Sequence, residues 1–332
     1  MRKVSIVIPF QKENDYLKET LERLKSLDYG NFEVVLLPDE EGEIQFFKNN
    51  QVPYPYKVIP TGKVSPAIKR DIGVEKGEGE IAAFIDDDAY PDTGWLKKAT
   101  VHFDKEEVCA VGGPQVTPET DSFSQKVSGA MFLSFLNGNA VIRYWPIGQS
   151  KEIDDWPTVN LLVRKNNFLE VGGFDSTFYP GEDTKLCLDL INKLNKKIIY
   201  EPNAVVYHHR RSGFFRHLKQ VGRYGLHRGH FAKVYPETSL RLQYMIPSLF
   251  FIFCLLGWFP LLFFPEYVYV YLGVWGLYCL VLCLSVISVF GKIKNVFVSI
   301  STLPYTSGTH IFYGLRFIQG YFTKNLRSKL GR

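Results

Sequence analysis

Along the first part of the chain, short apolar runs alternate with stretches whose apolar residues recur at helical spacing. Lys3 to Pro9 is β-branched and stopped by proline, which predicts a buried strand. Asn14 or Asp15 can cap a helix with Tyr16, Leu17, Thr20, Leu21 and Leu24 on one face. Phe32 to Leu37 predicts a second strand, Glu43 to Asn49 a short helix, Tyr56 to Ile59 a third strand and Pro66 to Glu75 another helix. Ala82 to Ile85 then runs as a strand straight into Asp86, Asp87 and Asp88. Such alternation of apolar strands and helices predicts a parallel, doubly wound α/β sheet. Pro9, Asp39 and the acidic triplet then share one rim, the carboxyl edge at which open α/β sheets bind ligands.

The pattern continues with a helix over Trp95 to Phe103 and a strand over Val108 to Gly113. Thr117 to Arg143 is apolar and aromatic with few charges and fits no single element; within it, the small and aromatic mixture of Ser128 to Phe135 suits a lid or a membrane-facing surface. Beyond Gly181-Glu182-Asp183, Leu186, Leu190, Ile191 and Leu194 predict a helix, followed by short strands over Ile198 to Tyr200 and Ala204 to Tyr207. Phe214 to Tyr235 mixes aromatics with Arg, Lys and His and reads as an interfacial helix. Leu242 to Pro265 and Tyr267 to Gly291 each lack any charged residue, and each is long enough for the ~20 residues that cross a bilayer. Only Glu266 separates them, so they read as a transmembrane hairpin. Val296 to Phe322 is interrupted by Pro304, Gly308, Gly314 and Gly320, which favours an interfacial or re-entrant piece over a third span. The expected organisation is a catalytic domain over 1–211, an interfacial region over 212–241, the hairpin over 242–291 and a re-entrant or interfacial segment with a basic tail over 292–332.

Charge sharpens this picture. The net charge of +5 over 332 residues is uneven, with eight Lys or Arg between Arg210 and Arg241 and more in the tail. Basic residues flank the hairpin and its turn has none, which is the positive-inside pattern. The N-terminus reads as a first strand and not as a signal peptide, so the catalytic domain is expected to face the cytoplasm from an integral position in the inner membrane. Basic stretches beside apolar spans suit anionic lipid, and no nucleic-acid-binding motif is present. The five cysteines form no Cys-x-x-Cys pair and read as apolar fillers.

The chemistry-bearing residues admit two readings each. The acidic triplet is a solvated turn, or it holds Mg²⁺ or Mn²⁺ with the phosphates of a substrate. Glu182 and Asp183 compensate a helix dipole, or one is a carboxylate kept ionised to accept a proton. His208 and His209 tempt a metal reading, but neighbours on a strand point to opposite faces, and binding of a diphosphate by Arg210 or Arg211 competes with it. Neither a Gly-x-Gly-x-x-Gly after the first strand nor a Walker lysine loop is present, which excludes an ordinary dinucleotide or P-loop site.

Several pieces in order resemble family 2 glycosyltransferases of the GT-A fold, a Rossmann-like, mixed and mostly parallel sheet. They are Ser5 to Pro9, Asp39, Lys69 to Gly73, Phe84 to Asp88, Gly172-Gly173-Phe174-Asp175 and Gly181-Glu182-Asp183. Gln220, Arg223 and Tyr224 resemble the Gln-x-x-Arg-Trp element of membrane-bound polysaccharide synthases. The resemblance implies a membrane-bound, metal-dependent, inverting transferase that moves a sugar from a nucleoside-diphosphate donor to a lipid-linked or other membrane-presented glycan acceptor. It implies Asp39 at the base of a UDP-type donor, with Pro9, Arg70, Asp86 and Asp87 around the donor and Asp88 and Asp86 at the metal. Asp183, beside Glu182, would be the catalytic base, with Arg210, Arg211, Gln220, Arg223 and Tyr224 at the acceptor and diphosphate end. Pro38 stands where many relatives carry a second acid, and Tyr224 replaces Trp. Two other readings are a transferase acting on polyprenyl phosphate itself, and an inactive membrane scaffold that senses sugar nucleotides.

Overall fold

The structure, a computed structural model, describes residues 1–174, 178 and 181–326. Asp175, Tyr179, Pro180 and the end of the basic tail lie outside the described residues. The chain divides into two units, one of residues 1–116 and 145–209 and one of residues 117–144 and 210–326.

The first unit opens with β1 (Val4–Pro9), α1 (Asp15–Leu24), β2 (Phe32–Leu37), α2 (Gln45–Asn49), β3 (Tyr56–Val58), α3 (Pro66–Lys76) and β4 (Ile81–Phe84). Then come β5 (Ala89–Pro91), α4 (Trp95–Thr100), β6 (Val108–Gly112) and β7 (Gln115–Val116). The next helix, α5 (Phe123–Met131), belongs to the second unit. The first unit resumes with β8 (Lys151–Ile153), β9 (Leu161–Arg164), α6 (Lys165–Glu170), α7 (Glu182–Leu194), β10 (Lys197–Tyr200) and β11 (Val206–His208).

Among the described residues, eight strands form one sheet in the order β3-β2-β1-β4-β9-β6-β10-β8, and three form a second in the order β5-β11-β7. β1 pairs in parallel with both β2 and β4, with Pro9 opposite Leu37 and Val7 opposite Phe84. Asp39 and Asp86 each follow two residues past the end of their strand, so both stand on the carboxyl rim. The sheet is mixed because β9 runs antiparallel to β4 and β6. Strands β1, β2 and β4 are buried throughout, including Ser5 of β1, which donates to Glu33 of β2 at 2.7 Å. Asn14 caps α1 by accepting from the Leu17 N–H, and Ser65 caps α3 ahead of Pro66. Asn160, fully buried, ties distant segments together: it accepts from Trp95 Nε1 at 2.8 Å and donates to the Pro114 and Ala204 carbonyls at 2.9 and 2.8 Å.

The second unit is helical. After α5 it contains α8 (Phe214–Val234), α9 (Pro236–Ser239), α10 (Leu242–Leu256), α11 (Tyr267–Ile293) and α12 (Val296–Phe322). The stretches Leu242–Leu262 and Tyr267–Ile293 are long and apolar enough to cross a membrane. Their large side chains, Leu249, Leu256, Leu272, Leu277 and Ile287 among them, are exposed. The interruptions expected at Pro304 and the glycines of α12 are not found: the segment is one continuous helix. Its glycines are points of backbone contact. A Cβ on Gly320 would lie 1.9 Å from the Leu226 carbonyl oxygen of α8, and one on Gly314 2.2 Å from that of Pro247 in α10. From the other side, a Cβ on Gly229 of α8 would lie 2.0 Å from the Phe317 carbonyl oxygen. A backbone oxygen cannot step aside as a flexible side chain can. Gly229→Leu is therefore expected to lower stability by about 3 kcal/mol or more, read as a fall in the Tm of the detergent-solubilised protein. An unchanged Tm would contradict the close approach.

Candidate active site

The site of the first unit is assembled at the strand ends by two side chains of α3. Lys69, buried, donates to the Phe10 and Leu37 carbonyls at 2.6 and 3.0 Å and pairs with Asp39 Oδ1 at 2.7 Å. It thus ties the chain just past β1 to the end of β2 and holds Asp39 beside them. Arg70, also buried, donates to Asp86 Oδ1 at 2.7 Å and to Glu182 Oε1 at 3.3 Å. One guanidinium therefore joins the strand-end acids to the start of α7. The next residue, Asp71, accepts from the Phe174 N–H at 2.9 Å, and burial pushes its carboxyl up to about 6. That bond fixes the turn at Gly172 and Gly173, whose φ values of 92° and 73° suit glycine.

The three rim aspartates face different partners. Asp86 meets Arg70. Asp87 accepts from Asn14 Nδ2 at 2.7 Å, and burial, with Asp88 and Asp86 adding like charge, pushes its carboxyl up to about 7. Asp88 lies 3.2 Å from His208 Nε2, and its backbone carbonyl accepts the His209 N–H at 2.9 Å. Asp86, Asp88 and His208 can bring one ligand atom each within 4.8 Å of one another. Two carboxylates and an imidazole form a donor set that fits a divalent cation such as Mn²⁺, and a cation there would relieve the repulsion within the triplet.

His208 is a candidate ligand that the sequence reading weighs but does not place. The parity argument holds: His208 turns to Asp88, whereas His209 lies near Glu19 Oε2 at 3.0 Å and stacks on Tyr16 at 4.3 Å. What fixes the choice is the pairing of His208 with Ala89, directly after the triplet, across β11 and β5. Sequence alone carries no sign of that pairing.

At the start of α7, Gly181 has φ 129°, and Glu182 and Asp183 supply the first turn. Glu182 is buried against Arg70 and accepts from the Gly181 N–H at 2.9 Å. Burial and neighbouring Asp183 push its carboxyl up, against the pull of Arg70. Asp183 is half-buried and accepts from the Thr184 N–H at 2.8 Å. Pro9, Asp39, Arg70, Asp86, Asp87, Asp88, Glu182 and Asp183 all belong to this unit.

Arg210, Arg211, Gln220, Arg223 and Tyr224 belong to the second unit. Arg210 is buried there, with its Nε on Thr117 Oγ1 at 3.1 Å, its N–H on Asp121 Oδ2 at 3.1 Å and its guanidinium 5.0 Å from the Tyr144 ring centroid. Gln220 donates to the Tyr224 hydroxyl at 2.9 Å. Arg211 is exposed and Arg223 partly so.

A mixed, mostly parallel sheet with carboxylates and a histidine gathered at its carboxyl rim is the architecture of a GT-A domain. The mannosyltransferase from Pyrobaculum calidifontis, solved in complex with GDP-Man and Mn²⁺, shares the fold at a TM-score of 0.50, with 17% identity over 69% of this chain and 62% of that one. Residues 5–165 match the model of Glycosyl transferase family 2, so this part of the chain is a domain of that family. A pre-mycofactocin glycosyltransferase of Mycobacterium tuberculosis is 25% identical over 244 residues, which is 73% of this chain and 50% of that protein. A glucosyl-dolichyl phosphate glucuronosyltransferase of Haloferax volcanii is 23% identical over 227 residues, 62% of this chain and 69% of the relative. The chain thus spans about half the length of the mycobacterial relative.

Proposed function

We propose that the protein is a membrane-bound, inverting, metal-dependent glycosyltransferase. It moves a sugar from a nucleotide-sugar donor, most simply a UDP-sugar, to a lipid-linked acceptor presented at the cytoplasmic face of the membrane. The observation that carries this reading is the continuous chain of contacts from the Asp86–Asp88–His208 cluster through Arg70 to Glu182 and Asp183.

Asp86, Asp88 and His208 would hold Mg²⁺ or Mn²⁺, which as a Lewis acid offsets the charge of the leaving diphosphate. Asp39, fixed by Lys69, faces the donor base, and its carboxylate can accept from the imide N–H of uracil. Glu182 is committed to Arg70 and so positions that guanidinium. Asp183, which accepts a helix N–H, takes the proton of the acceptor hydroxyl. The hydroxyl oxygen forms the new bond to the anomeric carbon as the bond to the diphosphate breaks. The bonding pair leaves with the diphosphate, and one displacement inverts the carbon. The exposed apolar faces of α10 and α11 support membrane anchoring, and the basic residues around them support the cytoplasmic orientation. The Haloferax relative is named for a sugar acceptor already on dolichyl phosphate. That favours a hydroxyl acceptor over bare polyprenyl phosphate.

The test is a screen of UDP- and GDP-sugars with the purified protein in detergent. Release of nucleoside diphosphate is expected with Mn²⁺ or Mg²⁺ and is expected to stop when EDTA removes the metal. Binding of a sugar nucleotide without turnover under any metal condition would instead support a sensor.

A further inference from the structure

We propose that Gln115 is a positioning residue for the cation centre: its side-chain carbonyl holds His208 in the tautomer that can ligate a divalent metal. The inference rests on the reading of Asp86, Asp88 and His208 as metal ligands. β11 is paired on both sides, with His208 opposite Ala89 of β5 and Val206 opposite Gln115 of β7. Gln115 is buried, 5% exposed, and its Oε1 lies 2.6 Å from His208 Nδ1.

A carbonyl oxygen only accepts, so Nδ1 carries the hydrogen of this bond. A neutral imidazole has one N–H, and its lone pair is then on Nε2, the atom 3.2 Å from Asp88 Oδ1. That lone pair faces the place where the three ligand atoms converge. A reversed amide would do the opposite. Its NH₂ would donate to Nδ1, the ring hydrogen would move to Nε2, and the imidazole would donate to Asp88 instead of ligating. The amide selects the tautomer without setting a charge against the His208 ring, which a Glu at this position would do. Loss of such a supporting partner typically costs about 10–100-fold in metal affinity.

The experiment is Mn²⁺ titration of the purified full-length protein followed by electron paramagnetic resonance. Spin-echo modulation then reads an imidazole nitrogen on the bound ion, with His208→Ala as the reference for its loss. Gln115→Met, close in length but without the carbonyl, is expected to bind Mn²⁺ about 10–100-fold more weakly and to lose the nitrogen modulation, with Tm unchanged. Gln115→Glu, whose carboxylate also accepts from Nδ1, is expected to retain both. If the wild-type protein binds no Mn²⁺, or binds it without nitrogen modulation, the metal reading itself falls. If wild type shows both and Gln115→Met keeps both, the role of Gln115 is overturned. Equal loss in the Met and Glu variants would also overturn it, because the side chain would then act through packing alone.

Discussion

An Asp183→Asn protein is expected to bind the donor as wild type does and to lose about 10²–10⁴ in turnover on a hydroxyl acceptor. The substitution is nearly isosteric, and Asn can still accept the Thr184 N–H that the carboxylate accepts now. The start of α7 should therefore persist, as should the contact of Glu182 with Arg70. What disappears is a group basic enough to take the acceptor proton. The loss should fall on kcat with little change in the donor KM, which single-turnover assays at saturating donor would read. Full retention of turnover would remove Asp183 from the mechanism and revive transfer to an acceptor that is already an anion.

Asp88→Ala is expected to abolish metal-dependent turnover, by about 10³-fold or more, because it removes one of three candidate ligands from the centre that stabilises the leaving charge. The same change should leave the fold intact. Alanine keeps the backbone carbonyl that accepts the His209 N–H and gives up the carboxylate beside His208 Nε2. The carboxylate adds like charge that pushes the buried Asp87 up. The lost His208 contact and the relieved repulsion oppose each other, so in metal-free buffer the variant is expected to melt close to the wild-type temperature. Inactivity with an unchanged or raised Tm separates loss of the site from loss of the fold. A variant with full metal-dependent activity would exclude Asp88 as a ligand.

Much of the first unit is legible in the chain. β1, β2 and β4 are mostly apolar runs that stop at proline or acid, and strand–helix alternation places their ends on one edge. Lys69, Arg70 and Asp71 stand together on one turn of α3, and each reaches a different part of the site. Other features depend on pairings between residues far apart in sequence. β9 is four residues long and follows Trp156 and Pro157, so nothing local marks it as the antiparallel strand between β4 and β6. His208 carries no mark of its partner either, because β11 reaches β5 from more than a hundred positions away. Residues 117–143 divide into α5 and a run of 3-10 turns with a kink at Gly138, too irregular for any single period to show. In α12, glycines that in isolation look like helix breakers are where another helix comes closest, and only the partner's backbone reveals that.

The glycine contacts between α8 and α12 also bear on how the protein is made. Gly229 and the Phe317 carbonyl that covers it leave the ribosome far apart in time. At ~5–20 residues per second the delay is on the order of ten seconds. Throughout that interval the notch in α8 is open, and α10 and α11 are synthesised before its cover exists. A nascent chain stalled within the hairpin would present α8 to chaperones and proteases with its backbone uncovered. Synthesis of α12 is thus the step that makes α8 resistant to quality control.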